Sequence, residues 1–294
     1  MCIFKGAATA LITPFKSESD SVDFEALERL VNFQLENGIS ALIVGGTTGE
    51  PTTMTHSERS AVSKFVLSQV KGRIPVILGA GSNNTYTSIE YAIEAEDLGA
   101  DAVLVITPYY NKCTQSGLVA HFRAIADRIS IPLILYNVPG RTGVNIDPKT
   151  ALELSAHKNI VAIKEASGNL SQFMSLAPLI EGKLDLYSGD DALVYPLLSL
   201  GAKGVISVAS NIIPRYMSDL TNAYFCGDLT KSRTMQFKVN PLVSALFSEV
   251  SPIPVKCAAK MLGLCDDYMR LPLTRHTKKE ELKQTMREFG LNPN

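Results

Sequence analysis

Short apolar runs recur along the first two thirds of the chain, and a stretch with helical periodicity follows each of them. Eight such runs, many of them β-branched and closed by small or polar residues, begin near Ala7, Ala41, Pro75, Ala102, Pro132, Ile160, Asp185 and Gly204. Continuous apolar runs are typical of strands in a parallel sheet that is covered on both faces. Most of the intervals are close to the roughly 30 residues of a β-α-β unit. The pattern predicts eight parallel strands alternating with helices.

Helix signals lie between the apolar runs. One apolar stripe recurs at helical spacing and ends at a glycine, which is a stop signal; it comprises Leu27, Leu30, Val31 and Leu35, followed by Gly38. Two pairs with capping spacing predict helix starts, Thr55 with Glu58 and Asn169 with Gln172.

The order of these elements predicts an α/β protein with a (β/α)8 TIM barrel over residues 1–225 and a small C-terminal helical appendage over residues 226–294. The strand signal disappears after about residue 225, and residues 229–248, 254–263 and 278–289 are predicted to be helical. An open doubly wound sheet is the alternative. It is less favoured because no G-x-G-x-x-G motif follows the first strand.

Composition narrows the functional classes. With 28 Lys+Arg against 29 Asp+Glu, the chain gives no support for binding to nucleic acid or to an anionic membrane surface. The five cysteines are scattered and never spaced C-x-x-C, which argues against a disulfide framework or a zinc ribbon and favours a reducing compartment. We find neither a signal-peptide pattern nor an apolar stretch long enough to span a membrane. The sequence predicts a soluble, cytoplasmic protein.

Lys164 is the most informative residue at the predicted strand ends, where the reactive groups of a barrel lie. It follows four apolar residues, Ile160 to Ile163, within a strand. Burial lowers the pKa of a lysine, and a neutral amine can attack a carbonyl carbon to form an imine. The alternative is a lysine at a strand end that pairs with a neighbouring carboxylate. Lys164 alone does not decide between them.

Hydroxyl groups stand at other strand ends. Tyr136 ends the fifth strand, next to the sixth, and its phenol could transfer a proton to an imine adduct. It could equally be a core aromatic residue with a satisfied hydroxyl. Thr47, Thr48 and Tyr110 add further hydroxyls, and together these groups could form a proton relay. The pattern is weak without Lys164.

Three further features bear on binding. Arg141 lies in a Pro-Gly-Arg-Thr turn, where its guanidinium could hold a substrate carboxylate or form a loop salt bridge. The glycine-rich residues 45–49 lack the lysine of a P-loop, but their N–H groups could face a carboxylate. Asp190 and Asp191 are more typical of helix caps or of solvated charge than of a metal site. The four histidines have no metal-binding spacing, so no metal is expected.

Three motifs together resemble the dihydrodipicolinate synthase family: GTTGE at residues 46–50, YNVPGRT at 136–142 and IKE at 163–165. The likeness runs nearly from end to end. It implies a lyase that condenses pyruvate with L-aspartate 4-semialdehyde on the diaminopimelate route to lysine.

The resemblance also implies residue roles. Lys164 would form a Schiff base with pyruvate, so that no separate cofactor is needed. The remaining roles are a proton relay through Tyr136, Thr47 and Tyr110, carboxylate binding by Thr48 and Arg141, and backbone contacts from Gly189 and Ile206. Tyr110 is expected to reach the active site of a neighbouring subunit. This implies at least a dimer, and a homotetramer built as a dimer of dimers.

Two alternative functions remain. N-acetylneuraminate lyase and the 2-keto-3-deoxy sugar-acid aldolases share the lysine and the tyrosine, but Arg141 better suits a short dicarboxylic product. A non-catalytic barrel that binds a keto acid is the other alternative. Feedback inhibition by lysine is expected to be weak or absent, because Arg59 stands where inhibited members carry His and Thr87 where they carry Glu.

Overall fold

The computed structural model describes residues 2–294, and these include eight parallel strands. The strands are β1 Gly6–Ala10, β2 Ala41–Val44, β3 Val76–Gly79, β4 Ala102–Ile106, β5 Leu133–Asn137, β6 Ile160–Glu165, β7 Asp185–Ser188 and β8 Gly204–Ser207. They follow one another in chain order around a closed barrel. The predicted TIM barrel is therefore confirmed, and each strand begins within one residue of its predicted start.

Twelve α-helices occur within the same described residues. They are α1 Phe24–Glu36, α2 His56–Val70, α3 Thr85–Asp97, α4 Gln115–Ala126, α5 Pro139–Thr142, α6 Pro148–Leu154, α7 Leu170–Ile180, α8 Val194–Ser199, α9 Pro214–Phe225, α10 Leu229–Leu246, α11 Ile253–Met261 and α12 Lys279–Phe289. The last three confirm the helices predicted after residue 225. None of the helices in residues 2–294 is both long and apolar enough to cross a membrane.

The chain divides into two compact units. One unit contains Pro75–Ile206 and the first residues through Gly6. Its strands β3 to β8 pair in parallel in chain order, and β5 pairs with β6 with Tyr136 opposite Lys164. Strand residues such as Val103, Ile134 and Ile163 are fully buried, as the continuous apolar runs predict.

The other unit contains Ala7–Ile74 and Ser207–Asn294. Its strands β1 and β2 pair in parallel, and helix α10 packs on α9 and α12. Helix α1 ends before Gly38, whose φ of +71° is left-handed, as the stop signal predicts. Its buried face includes Gln34, whose side-chain amide accepts a hydrogen bond of 2.6 Å from the Thr9 hydroxyl and donates one of 3.0 Å to the Ser210 carbonyl. Leu35 is half-buried. The division of the chain at residue 225 stays a prediction.

Two sets of hydrogen bonds stabilise the start of helix α2. Thr55 and Glu58 form the predicted capping box, in which each side chain bonds the backbone of the other. The Glu58 carboxylate also accepts a bidentate pair of hydrogen bonds from Arg270, at 2.6 and 2.9 Å. This guanidinium lies 4.3 Å from the centroid of the Phe15 ring. The Glu58 carboxylate therefore forms part of the helix cap and also binds Arg270 of the C-terminal segment.

Candidate active site

Lys164 and Tyr136 lie side by side at the carboxyl ends of β6 and β5. Register places the two residues opposite each other, so both side chains project from the same face of the sheet. The Lys164 Nζ lies 4.3 Å from the centroid of the Tyr136 ring. Only 5% of Lys164 and 6% of Tyr136 is exposed. A primary amine and a phenol thus share a buried position, where one can form a covalent adduct and the other can move a proton.

Gly189 makes room for the lysine side chain. It follows β7, and its N–H donates a 2.7 Å hydrogen bond to the Glu165 carbonyl of the neighbouring strand. A Cβ atom at this position would lie 2.9 Å from Cε of Lys164 and 2.6 Å from Cβ of Ala166. Any side chain at position 189 would therefore displace the amine. Ile206, in β8, is fully buried.

Arg141 lies in α5, the short helix that follows β5. The residue is exposed, and its backbone N–H bonds the Val138 carbonyl at 2.9 Å. The helix is held by Thr142, whose hydroxyl accepts a 2.9 Å hydrogen bond from Thr107 and donates to the Val144 carbonyl at 3.0 Å. A fixed backbone thus carries an exposed, positively charged residue, which suits the binding of an anionic group that arrives from solvent.

Tyr110 follows β4 and stands out from the surface. Its side chain is 89% exposed, and its φ of 73° lies in the left-handed region that non-glycine residues rarely adopt. The next residue, Asn111, ties this segment to the Asn83 carbonyl through a 3.0 Å hydrogen bond. The segment therefore presents a large aromatic side chain to solvent at an energetic cost.

Thr47 and Thr48 belong to the other compact unit. They open a short 3-10 helix, Thr47–Gly49, and Thr48 is buried. The Thr13 hydroxyl donates a 2.7 Å hydrogen bond to the Gly49 carbonyl. Glu50, which ends the turn, has a left-handed φ of 55° and forms a fully buried ion pair with Lys256 at 2.6 Å. Side chains distant in sequence therefore hold the backbone of the two threonines.

Of the two adjacent aspartates, Asp190 is a helix cap, as the sequence predicts, whereas Asp191 is the buried first residue of the capped helix. Asp190 caps the 3-10 helix Asp191–Leu193, because its Oδ1 accepts a 2.9 Å hydrogen bond from the Ala192 N–H. Across residues 2–294, no group of three or more His, Cys, Asp or Glu side chains is arranged to hold a metal ion.

Comparison with known proteins identifies the family. A model of the Dihydrodipicolinate synthetase family matches residues 3–288. The chain belongs to this family. The 4-hydroxy-tetrahydrodipicolinate synthase of Caldicellulosiruptor saccharolyticus is 51% identical to it, and the match covers 99% of both chains. The chain is therefore similar over its full length to enzymes of the dihydrodipicolinate synthetase family and is itself an enzyme of this family.

Solved structures of the family agree. The dihydrodipicolinate synthase from Thermotoga maritima superposes with a TM-score of 0.96 at 45% identity, covering 98% of this chain and 99% of that chain. The chloride-inhibited dihydrodipicolinate synthase from Acinetobacter baumannii, solved in complex with pyruvate, gives a TM-score of 0.96 at 42% identity, covering 99% of this chain and 100% of that chain.

One polar cluster of this family member was not predicted from the sequence. Asn137 and Glu165 directly follow Tyr136 and Lys164, and both are fully buried and hydrogen-bonded to each other at 2.8 Å. The available signal was a carboxylate placed directly after a lysine in a buried strand, where a charged side chain needs hydrogen-bond donors. Its partner was not predictable, because that depends on the register of β5 and β6.

Proposed function

We propose that this chain condenses pyruvate with L-aspartate 4-semialdehyde to form 4-hydroxy-tetrahydrodipicolinate, through a Schiff base on Lys164. The observation that carries the proposal is the buried Lys164 amine, 4.3 Å from the ring centroid of Tyr136. The names of the full-length relatives support the choice of substrates. The pyruvate complex of one solved relative supports pyruvate as the first substrate.

The chemistry follows from the amine. Lys164 attacks the ketone carbon of pyruvate, and loss of water leaves an iminium. The iminium withdraws electrons from the adjacent methyl group, which loses a proton and becomes an enamine carbon. That carbon attacks the aldehyde of the semialdehyde and forms the new carbon–carbon bond. The amino group of the semialdehyde then attacks the iminium carbon, which closes the ring and releases the Lys164 amine. The iminium is the electron sink, so this scheme needs no separate cofactor.

The other residues divide the remaining tasks. We assign the proton relay to Tyr136, Thr47 and Tyr110, and proton transfer by a positioned side chain contributes typically about 10²- to 10⁴-fold to a rate. Further assignments are pyruvate carboxylate binding by Thr48, semialdehyde carboxylate binding by Arg141, and backbone contacts from Gly189 and Ile206. The exposure of Arg141 and the close approach of Gly189 to Lys164 support two of these roles.

The proposal includes an oligomer. The Tyr110 side chain is 89% exposed and its backbone is left-handed, a conformation that costs about 1–3 kcal/mol. Contact of this ring with a second copy of the chain would offset that cost and bring its hydroxyl to a neighbouring site. We therefore propose at least a dimer, and a homotetramer as the working form. Sedimentation velocity of the wild-type chain and of a Tyr110→Ala variant tests this.

Three further points belong to the same proposal: a cytoplasmic location, a barrel over residues 1–225 followed by a helical region over residues 226–294, and weak or absent inhibition by lysine. The cation of Arg59 and the missing carboxylate at Thr87 support the last point, because both disfavour a ligand that carries an ammonium group. A lysine titration of activity tests it, and strong inhibition below about 1 mM would contradict the electrostatic argument.

Borohydride trapping tests the central step. Borohydride added with pyruvate should reduce the imine and leave a stable mass increase on the peptide that contains Lys164. Lys164→Arg should abolish the adduct, whereas the matched change at an exposed lysine, Lys183→Arg, should not. Label on another lysine, or none, would refute the mechanism. Turnover of pyruvate with aspartate semialdehyde, measured beside N-acetylneuraminate and 2-keto-3-deoxygluconate cleavage, tests the substrates.

A further inference from the structure

A buried carboxylate lies behind the two strands that carry Lys164 and Tyr136. Asn137 and Glu165 are the last residues of β5 and β6, and neither is exposed to solvent. Neighbouring residues of a strand point to opposite faces of the sheet. The Asn137 and Glu165 side chains therefore lie on the face opposite the candidate catalytic pair, one residue beyond it on each strand.

The Glu165 carboxylate is satisfied by neutral donors. Its Oε2 accepts a 2.8 Å hydrogen bond from the Asn137 amide, and its Oε1 accepts one of 2.7 Å from the Ser167 N–H. The Gln172 amide of helix α7 donates a third, at 3.4 Å. Burial raises the pKa of this carboxyl, and the hydrogen bonds from Asn137, Ser167 and Gln172 oppose that rise. Buried polar groups held in this way specify one arrangement of their neighbours, because each broken bond leaves a group unsatisfied.

Asn137 extends the cluster to the segment that follows α5. Its side-chain oxygen Oδ1 accepts a 2.9 Å hydrogen bond from the Ile146 N–H, and its side-chain NH2 also donates to the Asn145 side chain at 2.8 Å. The Gln172 amide closes the cluster by donating to the Ile146 carbonyl at 2.9 Å. Strands β5 and β6, helix α7 and residues 145–146 are thus joined through two side chains, Asn137 and Glu165.

The bond between Asn137 and Glu165 fixes one strand against the other. The two residues are partners in the parallel register, as are Tyr136 and Lys164 directly before them. Sliding β6 along β5 by about 1 Å would strain a 2.8 Å hydrogen bond. Because both partners are buried, water could not replace that bond. The same slide would move the Lys164 amine away from the phenol. A misplacement of about 1 Å in a reacting group can cost about 10²-fold in rate.

We propose that Glu165 and Asn137 are positioning residues, which hold the Lys164 amine against the Tyr136 phenol from the opposite face of the sheet. This inference rests on the proposed function, because it concerns the geometry in which the imine forms and the enamine is made. Neither side chain touches the substrate in this proposal.

The test begins with Glu165→Gln. This change keeps the shape of the side chain but replaces one acceptor oxygen by an NH2 group, so that two donors face each other. We expect the rate of borohydride-trappable pyruvate adduct formation and kcat to fall about tenfold to hundredfold, while KM for pyruvate changes less than about threefold. Glu181→Gln, at an exposed site in the same unit, is the matched control and should retain wild-type rates.

A swapped pair separates positioning from general destabilisation. In Asn137→Asp with Glu165→Gln, the amide and the carboxylate exchange strands, which restores a hydrogen bond between them. We expect this double variant to recover adduct formation to within about fivefold of wild type, and each single change to be worse than the pair. The swapped variant carries the test if Glu165→Gln does not fold.

The outcomes are distinct. No pyruvate adduct in the wild-type chain would overturn the proposed function and this inference with it. An adduct that forms equally fast in wild type and in folded Glu165→Gln would overturn the positioning role alone. A folded double variant no better than either single variant would also overturn it.

Discussion

Replacing Lys256 by methionine should destabilise the protein strongly, and the loss should depend on pH. The Lys256 ammonium lies in α11 and donates hydrogen bonds of 2.6 Å to Glu50 and 2.9 Å to the Tyr268 carbonyl. Both members of the ion pair are fully buried. Burial raises the pKa of Glu50 and lowers that of Lys256, while each partner opposes the shift of the other. Methionine keeps most of the lysine volume and removes the charge together with the two donated hydrogen bonds.

The loss of stability can be worked out from the protonation of Glu50 when Lys256 is absent. An unpaired buried carboxylate takes up a proton, and doing so at pH 7 from an ordinary pKa of 4.5 costs about 3.4 kcal/mol. The lost bond to the Tyr268 carbonyl adds about 1 kcal/mol. The sum of these two costs agrees with the about 3–5 kcal/mol that is generally lost when one partner of a buried ion pair is removed. At pH 5 the protonation cost falls to about 0.8 kcal/mol, because about a quarter of the unfolded chains are then already protonated at this group.

Urea unfolding, monitored by circular dichroism, measures the loss of stability at each of the two pH values. We expect Lys256→Met to lose about 4 kcal/mol relative to wild type at pH 7 and about 2 kcal/mol at pH 5. At pH 7 the folded variant binds a proton that the unfolded chain releases. The free energy of unfolding of the variant, relative to wild type, therefore rises as the pH falls. Lys231→Met, at an exposed position of α10, is the control and should change little. A loss below about 1 kcal/mol at pH 7, or an equal loss at both pH values, would refute the reasoning.

Three further predictions concern single side chains. Gly189→Ala places a methyl group 2.9 Å from Cε of Lys164, so pyruvate adduct formation should fall at least about tenfold while the chain stays folded; trapping at the wild-type rate would contradict this. Burial lowers the pKa of His121 from 6.5 to about 4, so stability should fall as the pH drops through that window. His121→Gln should flatten this slope in urea unfolding at pH 4 to 7, and an unchanged slope would exclude the cause. The hydrogen bond from Arg270 lowers the pKa of Glu58 from 4.5 to about 2, so stability present above pH 4.5 should be lost towards pH 2. Arg270→Met should remove that part of the acid-unfolding profile, and an identical profile would refute it.

Local pattern was sufficient to predict the eight strands and the three helices after residue 225. Each strand of a parallel barrel is covered on both faces and must be apolar along its length, so that its start can be found in the sequence alone. Helix starts are equally local. The Thr55 capping box and the Asn169 cap involve residues only two or three positions apart. Helix α10 continues past Pro241, as predicted, because its other residues keep a buried face.

Long-range polar pairs were not predictable. Glu50 and Lys256 are separated by 206 positions, and nothing in the neighbourhood of either indicates the other. Asn137 and Glu165 meet only because of the register between their strands, which a one-residue slip would change. For Lys164 and Tyr136 the sequence predicted adjacent strands, and the structure adds the 4.3 Å approach of the amine to the ring. Their catalytic roles stay a proposal.

The two roles of the Glu58 carboxylate at the start of α2 have a consequence for C-terminal truncation of the chain. Removing the C-terminal tail from residue 270 onwards would strip Glu58 of its guanidinium partner, although the truncation point lies 212 positions away along the sequence. The first turn of α2 would then depend on the capping box of Thr55 and Glu58 without the contact from Arg270. Limited proteolysis of such a truncated chain should therefore find new cleavage sites around residue 55, in a segment that the truncation leaves covalently intact.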